Sequence, residues 1–113
     1  MANNMATFNE FDRIDMRTGL ITDVEDFPRA KNPSYRLTID FGPDIGIRRS
    51  SVQATNYSKD ELRGMRIVAV VNFAPKNIAG FMSEVLVLGV PGDDGSIALL
   101  TPSRPAVIGG RVY

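Results

Sequence analysis

The second half of the chain contains two strongly apolar runs separated by a short polar segment. The runs extend over 66–73 and 82–90, and the segment between them holds Pro75, Gly80 and a single cation, Lys76. Apolar runs of this length that are bounded by proline and glycine are typical of β-strands. Neither run alternates between apolar and polar residues, so both faces of each strand should be covered. The pattern predicts a strand, a structured loop and a second strand, with the loop on the rim of a β-sheet, where binding residues concentrate.

Three further strands are predicted in the first half, with turn residues between them. They extend over about 20–25, 35–41 and 45–50. The second of them alternates strictly between apolar and polar residues, which indicates a strand with one face in water. In the third, we expect Ile45 and Ile47 to point into the core.

Two capping-box patterns predict short helices. The first begins at Thr7 and starts a helix over about 8–14, whose apolar face would pack on a barrel end or on a neighbouring subunit. The second begins at Ser58 and starts a helix of little more than one turn, between strands three and four.

These elements predict an all-β fold with short helices. Five or more short strands with glycine- and proline-rich turns indicate a barrel or a sandwich, and a helix before strand four favours the five-stranded OB-fold barrel. A length of 113 residues permits one hydrophobic core. We expect a single domain over 7–113 behind a disordered lead over 1–6, and the tail over 109–113 could add a final edge strand.

The composition argues against catalysis. The chain has no His and no Cys, so the commonest general bases, nucleophiles and transition-metal ligands are missing. Its adjacent carboxylates fall in turns or at helix starts, and no phosphate-binding loop motif occurs. We therefore expect a protein that is not an enzyme and that needs no metal and no cofactor.

The composition also predicts a location. The absence of Cys favours a reducing compartment. No apolar run approaches the length of a membrane span, and the N-terminal residues lack the pattern of a signal peptide. We expect a cytoplasmic protein without membrane insertion.

Charge is unevenly distributed along the chain. The whole sequence is neutral, but the stretch 27–76 contains nine basic residues and four acidic residues. A ligand face built from the central strands would then be basic on a neutral protein, and a local field of this kind attracts phosphates. The alternative is that these cations are ordinary scattered surface residues.

The candidate binding residues lie on the central strands and in the polar segment. Lys76 can meet a phosphate or a peptide carboxylate, and aromatic side chains can stack on bases or form an apolar pocket. Hydroxyl and amide side chains suit a base edge or a peptide backbone. The predicted binding residues, for a peptide or a nucleic acid, are Arg36, Arg48, Ser50, Asn72, Phe73, Lys76, Phe81 and Ser83.

Structural roles are the alternative for several of these residues. Either aromatic residue, Phe73 or Phe81, could belong to the core. The side chains of Asn72 and Ser83 could bond to each other across the loop and fix its shape. Gly80 is expected to serve the backbone, because a positive φ favours glycine.

The segment 72–83 resembles the Asn-x-x-Pro-[Arg/Lys]-x-x-x-Gly-x-x-Ser signature of the tRNA-binding OB-fold family. The residues over 15–19 (Asp-Met-Arg-Thr-Gly) are similar to the opening motif of that family, and 48–51 (Arg-Arg-Ser-Ser) to its cation-and-serine motif. The amino-acid sequence over 72–89 is most similar to the CsaA branch of this family, small bacterial proteins regarded as secretion chaperones. Three ordered motifs on a chain of family length make the match specific.

The resemblance implies an OB barrel with N- and C-terminal extensions that form a homodimer. It implies a chaperone that binds unfolded client polypeptides without ATP, with the secretion machinery as a further partner, or alternatively a module that recognises the shape of tRNA. Many tRNA-binding relatives carry two or more cations after the motif proline, whereas here Asn77 follows Lys76. This departure favours the chaperone interpretation.

Overall fold

The computed structural model describes residues 4–113, so the predicted lead over 1–6 lies partly outside the described residues. Two short helices and nine strands are present in this range. In chain order they are α1 (Phe8–Arg13), β1 (Met16–Asp26), β2 (Tyr35–Asp40), β3 (Ile47–Val52), α2 (Lys59–Leu62), β4 (Arg66–Val70), β5 (Lys76–Ile78), β6 (Phe81–Ser83), β7 (Leu86–Val87), β8 (Gly89–Pro91) and β9 (Ile97–Leu99).

Five of the strands form one antiparallel sheet in the order β3-β2-β1-β4-β7, and this sheet curls into a nearly closed barrel. The long β1 serves both halves of the barrel. Its first half, Met16 to Leu20, pairs with β4, and its second half pairs with β2. A register shift between Ile21 and Asp23 bends the strand where it changes partner. The predicted all-β class and five-stranded OB-type barrel are confirmed.

The core fills the inside of this barrel. On β2 the predicted alternation is confirmed, because Leu37 and Ile39 are fully buried while their neighbours are only partly buried. The single buried residue of α2, Leu62, packs against the same cluster. The largest fully buried apolar side chains are Phe41, Ile21, Leu37, Ile39, Leu62 and Ile67.

The third strand differs from its prediction. It begins at Ile47 and not at Ile45, and its buried residues are Ser50 and Val52. Ile47 is 57% exposed, so its predicted inward orientation is wrong. The sequence misleads here because a serine occupies the inward position that an apolar residue usually fills.

The second apolar run also differs from its prediction. Instead of one strand over 82–90, the chain forms β6, β7 and β8, which belong to three different sheets. Within the run, Val85 and Val87 point into the core, whereas Leu86 is 49% exposed. The outer face of this run is therefore not covered by any other described part of the same chain.

The C-terminal tail of the chain packs against β1. The C-terminal tail lies along its first half, where the Thr18 N–H donates to Gly110 O at 2.9 Å and the Val112 N–H donates to Met16 O at 2.9 Å. Arg17 donates to Gly109 O and pairs with Asp15 at 2.6 Å. The hydrogen bond that Arg17 donates to the Asp15 carboxylate raises the pKa of the Arg17 guanidinium. The tail thus pairs with β1 through a single bridge between residues 17 and 111 and does not form the predicted edge strand.

Helix α1 begins with the predicted capping box, in which Thr7 accepts from the Glu10 N–H and Glu10 reaches back to Thr7. None of its residues is buried, and Phe8 is 75% exposed.

In residues 4–113 no helix has the length and apolar character needed to cross a membrane.

Candidate ligand groove

The polar segment between the two apolar runs is a β-hairpin, not the loop that the sequence predicted. Strands β5 and β6 pair, and a two-residue turn of Ala79 (φ 49°) and Gly80 (φ 87°) joins them. Two positive φ angles in a two-residue hairpin turn are the mark of a type I′ turn. The expected positive φ of Gly80 is confirmed. The Asn77 side chain stabilises the turn by accepting from the Gly80 N–H at 2.9 Å.

Two serine side chains attach the hairpin to the barrel. Ser83 Oγ accepts from the Ser51 N–H at 3.1 Å, and Ser50 Oγ donates to Val85 O at 3.0 Å. The two hydroxyl oxygens lie 3.4 Å apart. These contacts connect β3, the first strand in the sheet order, to the segment 83–85, which leads into β7, the last strand in that order. Ser50 is only 1% exposed, so its hydroxyl group joins strands and does not face a ligand.

Aromatic rings attach the other side of the hairpin. The Phe81 ring packs edge-on against the buried ring of Phe27, with centroids 5.4 Å apart. The Arg49 guanidinium lies 4.9 Å from the Phe81 centroid, and the Arg36 guanidinium lies 5.5 Å from the Phe27 centroid. Such cation–π contacts orient both cations. Arg49 also pairs with Glu25, so of these two cations only Arg36 has no carboxylate partner among the described residues.

Asn72 has a structural role. Its Oδ1 accepts from the Asp15 N–H at 2.9 Å, and its Nδ2 donates to Arg13 O at 2.8 Å. Both polar atoms thus connect the end of α1 to the end of β4. Because Ser83 bonds to Ser51, the alternative in which Asn72 and Ser83 bond to each other does not occur.

An apolar pocket of about 280 Å³ lies beside the hairpin. Phe73, Ala74, Ile78, Val85 and Leu86 form most of its wall, and Ser51, Lys76, Ser83 and Glu84 complete it. Phe73 is 47% exposed, so it contributes a surface and not a core side chain. The predicted residues Phe73, Lys76 and Ser83 therefore do meet at one pocket.

A larger hollow of about 470 Å³ continues from this pocket towards the 30–34 loop. Apolar atoms make up the greater part of its surface, but we call it the polar hollow because it also contains amide, hydroxyl and cationic side chains. Ser51, Lys76, Ile78 and Leu86 line both cavities, so the two form one surface, which we call the ligand groove. The additional polar residues in the second hollow are Lys31, Asn32, Ser34, Gln53 and Asn77. Side-chain amides and hydroxyls thus stand next to an apolar pocket.

The remaining predicted residues lie outside the groove. Arg36 and Phe81 line a separate hollow of about 360 Å³ on the other side of the hairpin, together with Phe27 and Arg29. Arg48 donates to Ile45 O at 3.3 Å and does not line any of these three cavities. The sequence analysis did not identify Leu86, Ile78 or Lys31 as groove residues. The one sequence signal for Leu86 was the lack of alternation in the run 82–90, because a small barrel can bury only one face of such a strand.

Two larger hollows lie elsewhere on the molecule. One, of about 590 Å³, borders the β8–β9 hairpin, and the other, of about 560 Å³, lies between α1 and Phe73. The first is lined by uncharged residues such as Gln53, Asn56 and Gly95, and the second follows the exposed helix α1. Volume alone does not identify a site. We place the candidate site at the ligand groove because it combines an apolar wall, charged groups and side-chain amides and hydroxyls.

Comparison with known proteins connects this geometry to a family. A family profile described as "Putative tRNA binding domain" matches residues 16–111. The crystal structure of the CsaA chaperone from Picrophilus torridus is similar, with 51% identity, coverage of 96% of this chain and 100% of that chain, and a TM-score of 0.92. The CsaA chaperone of Bacillus anthracis is also similar, with 45% identity, coverage of 96% and 99%, and a TM-score of 0.89.

Curated relatives include the methionine–tRNA ligase of Thermococcus onnurineus. It is 33% identical over 106 residues, which cover 93% of this chain. The match spans only 14% of the length of that enzyme. The similarity therefore concerns one domain of the ligase.

Proposed function

The chain belongs to the tRNA-binding-domain family, as a CsaA-type member, and we propose that it is a dimeric, export-related chaperone that holds extended polypeptide in the ligand groove without ATP. Its clients would be unfolded proteins in the cytoplasm, with the secretion machinery as a further partner. The observation that carries this proposal is the joining of the apolar pocket to the polar hollow.

Each half of the groove suits one part of an extended polypeptide. The apolar pocket can take one large client side chain, whose burial stabilises the complex by about 25 cal/mol for each Å² removed from water. The hydroxyl and amide groups beyond Ser51 can satisfy the client backbone, as polar groups that leave water require. Binding of this kind is reversible and needs no nucleotide, because no covalent step occurs.

The dimer is supported by apolar surface that the described chain does not cover. On α1, Phe8 and Phe11 are exposed and lie with ring centroids 6.3 Å apart. In the C-terminal tail, Val107 and Tyr113 are exposed as well. A second copy can cover these side chains, and an interface of standard size buries about 1,600 Å². Sedimentation should give a particle of twice 12.4 kDa at micromolar concentration; a folded monomer there would contradict the dimer.

A side-by-side titration tests the chaperone proposal. The purified protein is titrated with a labelled unfolded peptide rich in leucine and with bulk tRNA, each at several salt concentrations. Peptide affinity should change little with salt, because burial of apolar surface drives it, whereas binding to phosphates weakens steeply. Absence of measurable peptide affinity at every salt concentration would reject the proposal.

Recognition of tRNA is the second candidate function, and the cations of the site favour it. Four cations form no ion pair with any carboxylate in residues 4–113. They are Lys31 and Lys76 in the groove, and Arg29 and Arg36 in the hollow on the other side of the hairpin. If the groove cations hold phosphates, Lys31→Ser and Lys76→Ser should each flatten the salt dependence of tRNA binding by about 0.7–0.9. Arg48→Ser, outside the groove, is the matched control. Equal effects of Arg48→Ser and of the groove substitutions would show that tRNA does not use this surface.

A further inference from the structure

Glu84 occupies a distinctive position in the ligand groove. Among the described residues that line the apolar pocket or the polar hollow, it is the only carboxylate, and it lies on the barrel side of the pocket. Lys76 reaches the same pocket from the hairpin. The two charges have opposite signs, yet they do not form an ion pair.

Two backbone contacts fix Glu84 in place. Its Oε1 accepts from the Arg49 N–H at 2.9 Å, and its own N–H donates to Arg49 O at 2.7 Å. The Arg49 guanidinium does not neutralise it, because that group pairs with Glu25 and stacks on Phe81. The pocket wall therefore carries a negative charge that is held against the backbone of β3 and has no cationic partner among residues 4–113.

We propose that Glu84 is the residue that makes the ligand groove select polypeptide over nucleic acid, and that it favours client segments with a cationic side chain next to the apolar one. This inference rests on the proposed function. A phosphate backbone carries only negative charge, so Glu84 repels it at the point where Lys76 would attract it. A polypeptide offers N–H groups and cationic side chains that can approach the carboxylate.

The size of the effect follows from Coulomb's law. Two like charges about 7 Å apart, at an effective dielectric constant of about 40 and low salt, change an affinity by about fivefold. Near physiological ionic strength, where the Debye length is about 8 Å, the change falls to about twofold. The effect should therefore be measured at low salt.

The test uses Glu84→Gln, which keeps an oxygen for the Arg49 N–H and removes the charge. The matched control is Asp93→Asn, an equal change of charge at an exposed residue outside the groove. The probes are bulk tRNA, an unfolded leucine-rich peptide with one lysine, and the same peptide with acetyl-lysine. At low salt, Glu84→Gln should bind tRNA about fivefold more tightly and the lysine peptide about fivefold more weakly. The acetylated peptide should change by less than twofold.

Three outcomes would overturn the inference. The first is that Glu84→Gln and Asp93→Asn shift tRNA binding equally, and the second is that the two peptides respond alike to Glu84→Gln. The third needs no variant and holds even if Glu84→Gln fails to fold: the parent protein binds the acetylated peptide as tightly as the lysine peptide. If the parent binds neither peptide, the chaperone proposal fails, and the tRNA measurement still decides whether Glu84 repels phosphate.

Discussion

The turn of the β5–β6 hairpin allows a sharp test of the local structure, because its two residues should respond in opposite directions. Ala79 has a φ of 49°, which costs an L-residue other than glycine about 1–2 kcal/mol. Asparagine tolerates this conformation, and Asn-Gly is the preferred sequence of a type I′ turn. We expect Ala79→Asn to raise the free energy of unfolding by about 0.5–1 kcal/mol.

Gly80→Val should have the opposite effect. A Cβ at Gly80 would meet no atom within 4 Å, so no clash contributes and only the backbone conformation matters. At a φ of 87°, a β-branched residue should cost about 2 kcal/mol. Because Ser83 and Phe81 attach the hairpin to the barrel, most of this cost should appear in global unfolding.

Urea denaturation at equilibrium, supported by thermal melts, measures both changes. The melting temperature should fall by about 8 °C for Gly80→Val and rise by a few degrees for Ala79→Asn. Lys76→Ala on the same hairpin is the control, and its exposed position predicts a change below about 0.5 kcal/mol. A decrease for both turn variants, or a Gly80→Val melt equal to that of Lys76→Ala, would refute the type I′ turn.

Two further variants test how the site is supported. Gly19→Ala would place a Cβ 2.6 Å from Ile39 Cγ2 and from Phe41 Cε1, both in the core, so we expect a loss of about 3 kcal/mol by urea denaturation, and an unchanged midpoint would contradict the packing. Asn72→Ala removes two hydrogen bonds and should cost about 1–2 kcal/mol and weaken hydrogen-exchange protection of α1. The peptide affinity of Asn72→Ala should equal that of the parent protein. A loss of peptide affinity while α1 stays intact would show that Asn72 takes part in binding.

The fold could be predicted from the sequence to the extent that its signals are local. The alternation of β2, the capping boxes at Thr7 and Ser58, and the positive φ of Gly80 each depend on a few neighbouring residues, and each was predicted correctly. The short strands, the helix before β4 and the family motifs together predicted the barrel. These signals needed no knowledge of which strands become neighbours.

The errors arose where distant parts of the chain meet. Ser50 points inward because its hydroxyl donates to Val85 O and lies 3.4 Å from Ser83 Oγ, and no local sequence pattern indicates such distant partners. The run 82–90 was predicted as one strand because its composition is uniform, yet its parts join three sheets. The groove needs residues from 30–34, 51–53, 73–78 and 83–87 side by side, which only the folded barrel provides.

We expect unfolded polypeptide to bind in the apolar pocket of the ligand groove. The most direct test compares Leu86→Ser with Val90→Ser, since both residues are apolar and 49% exposed but only Leu86 lines the pocket. Fluorescence anisotropy with a labelled leucine-rich peptide gives both affinities. Loss of the apolar contact at Leu86 should weaken binding by about 1–1.5 kcal/mol, roughly tenfold, while Val90→Ser should match the parent protein. Equal affinities for the two variants would contradict binding of polypeptide in the apolar pocket.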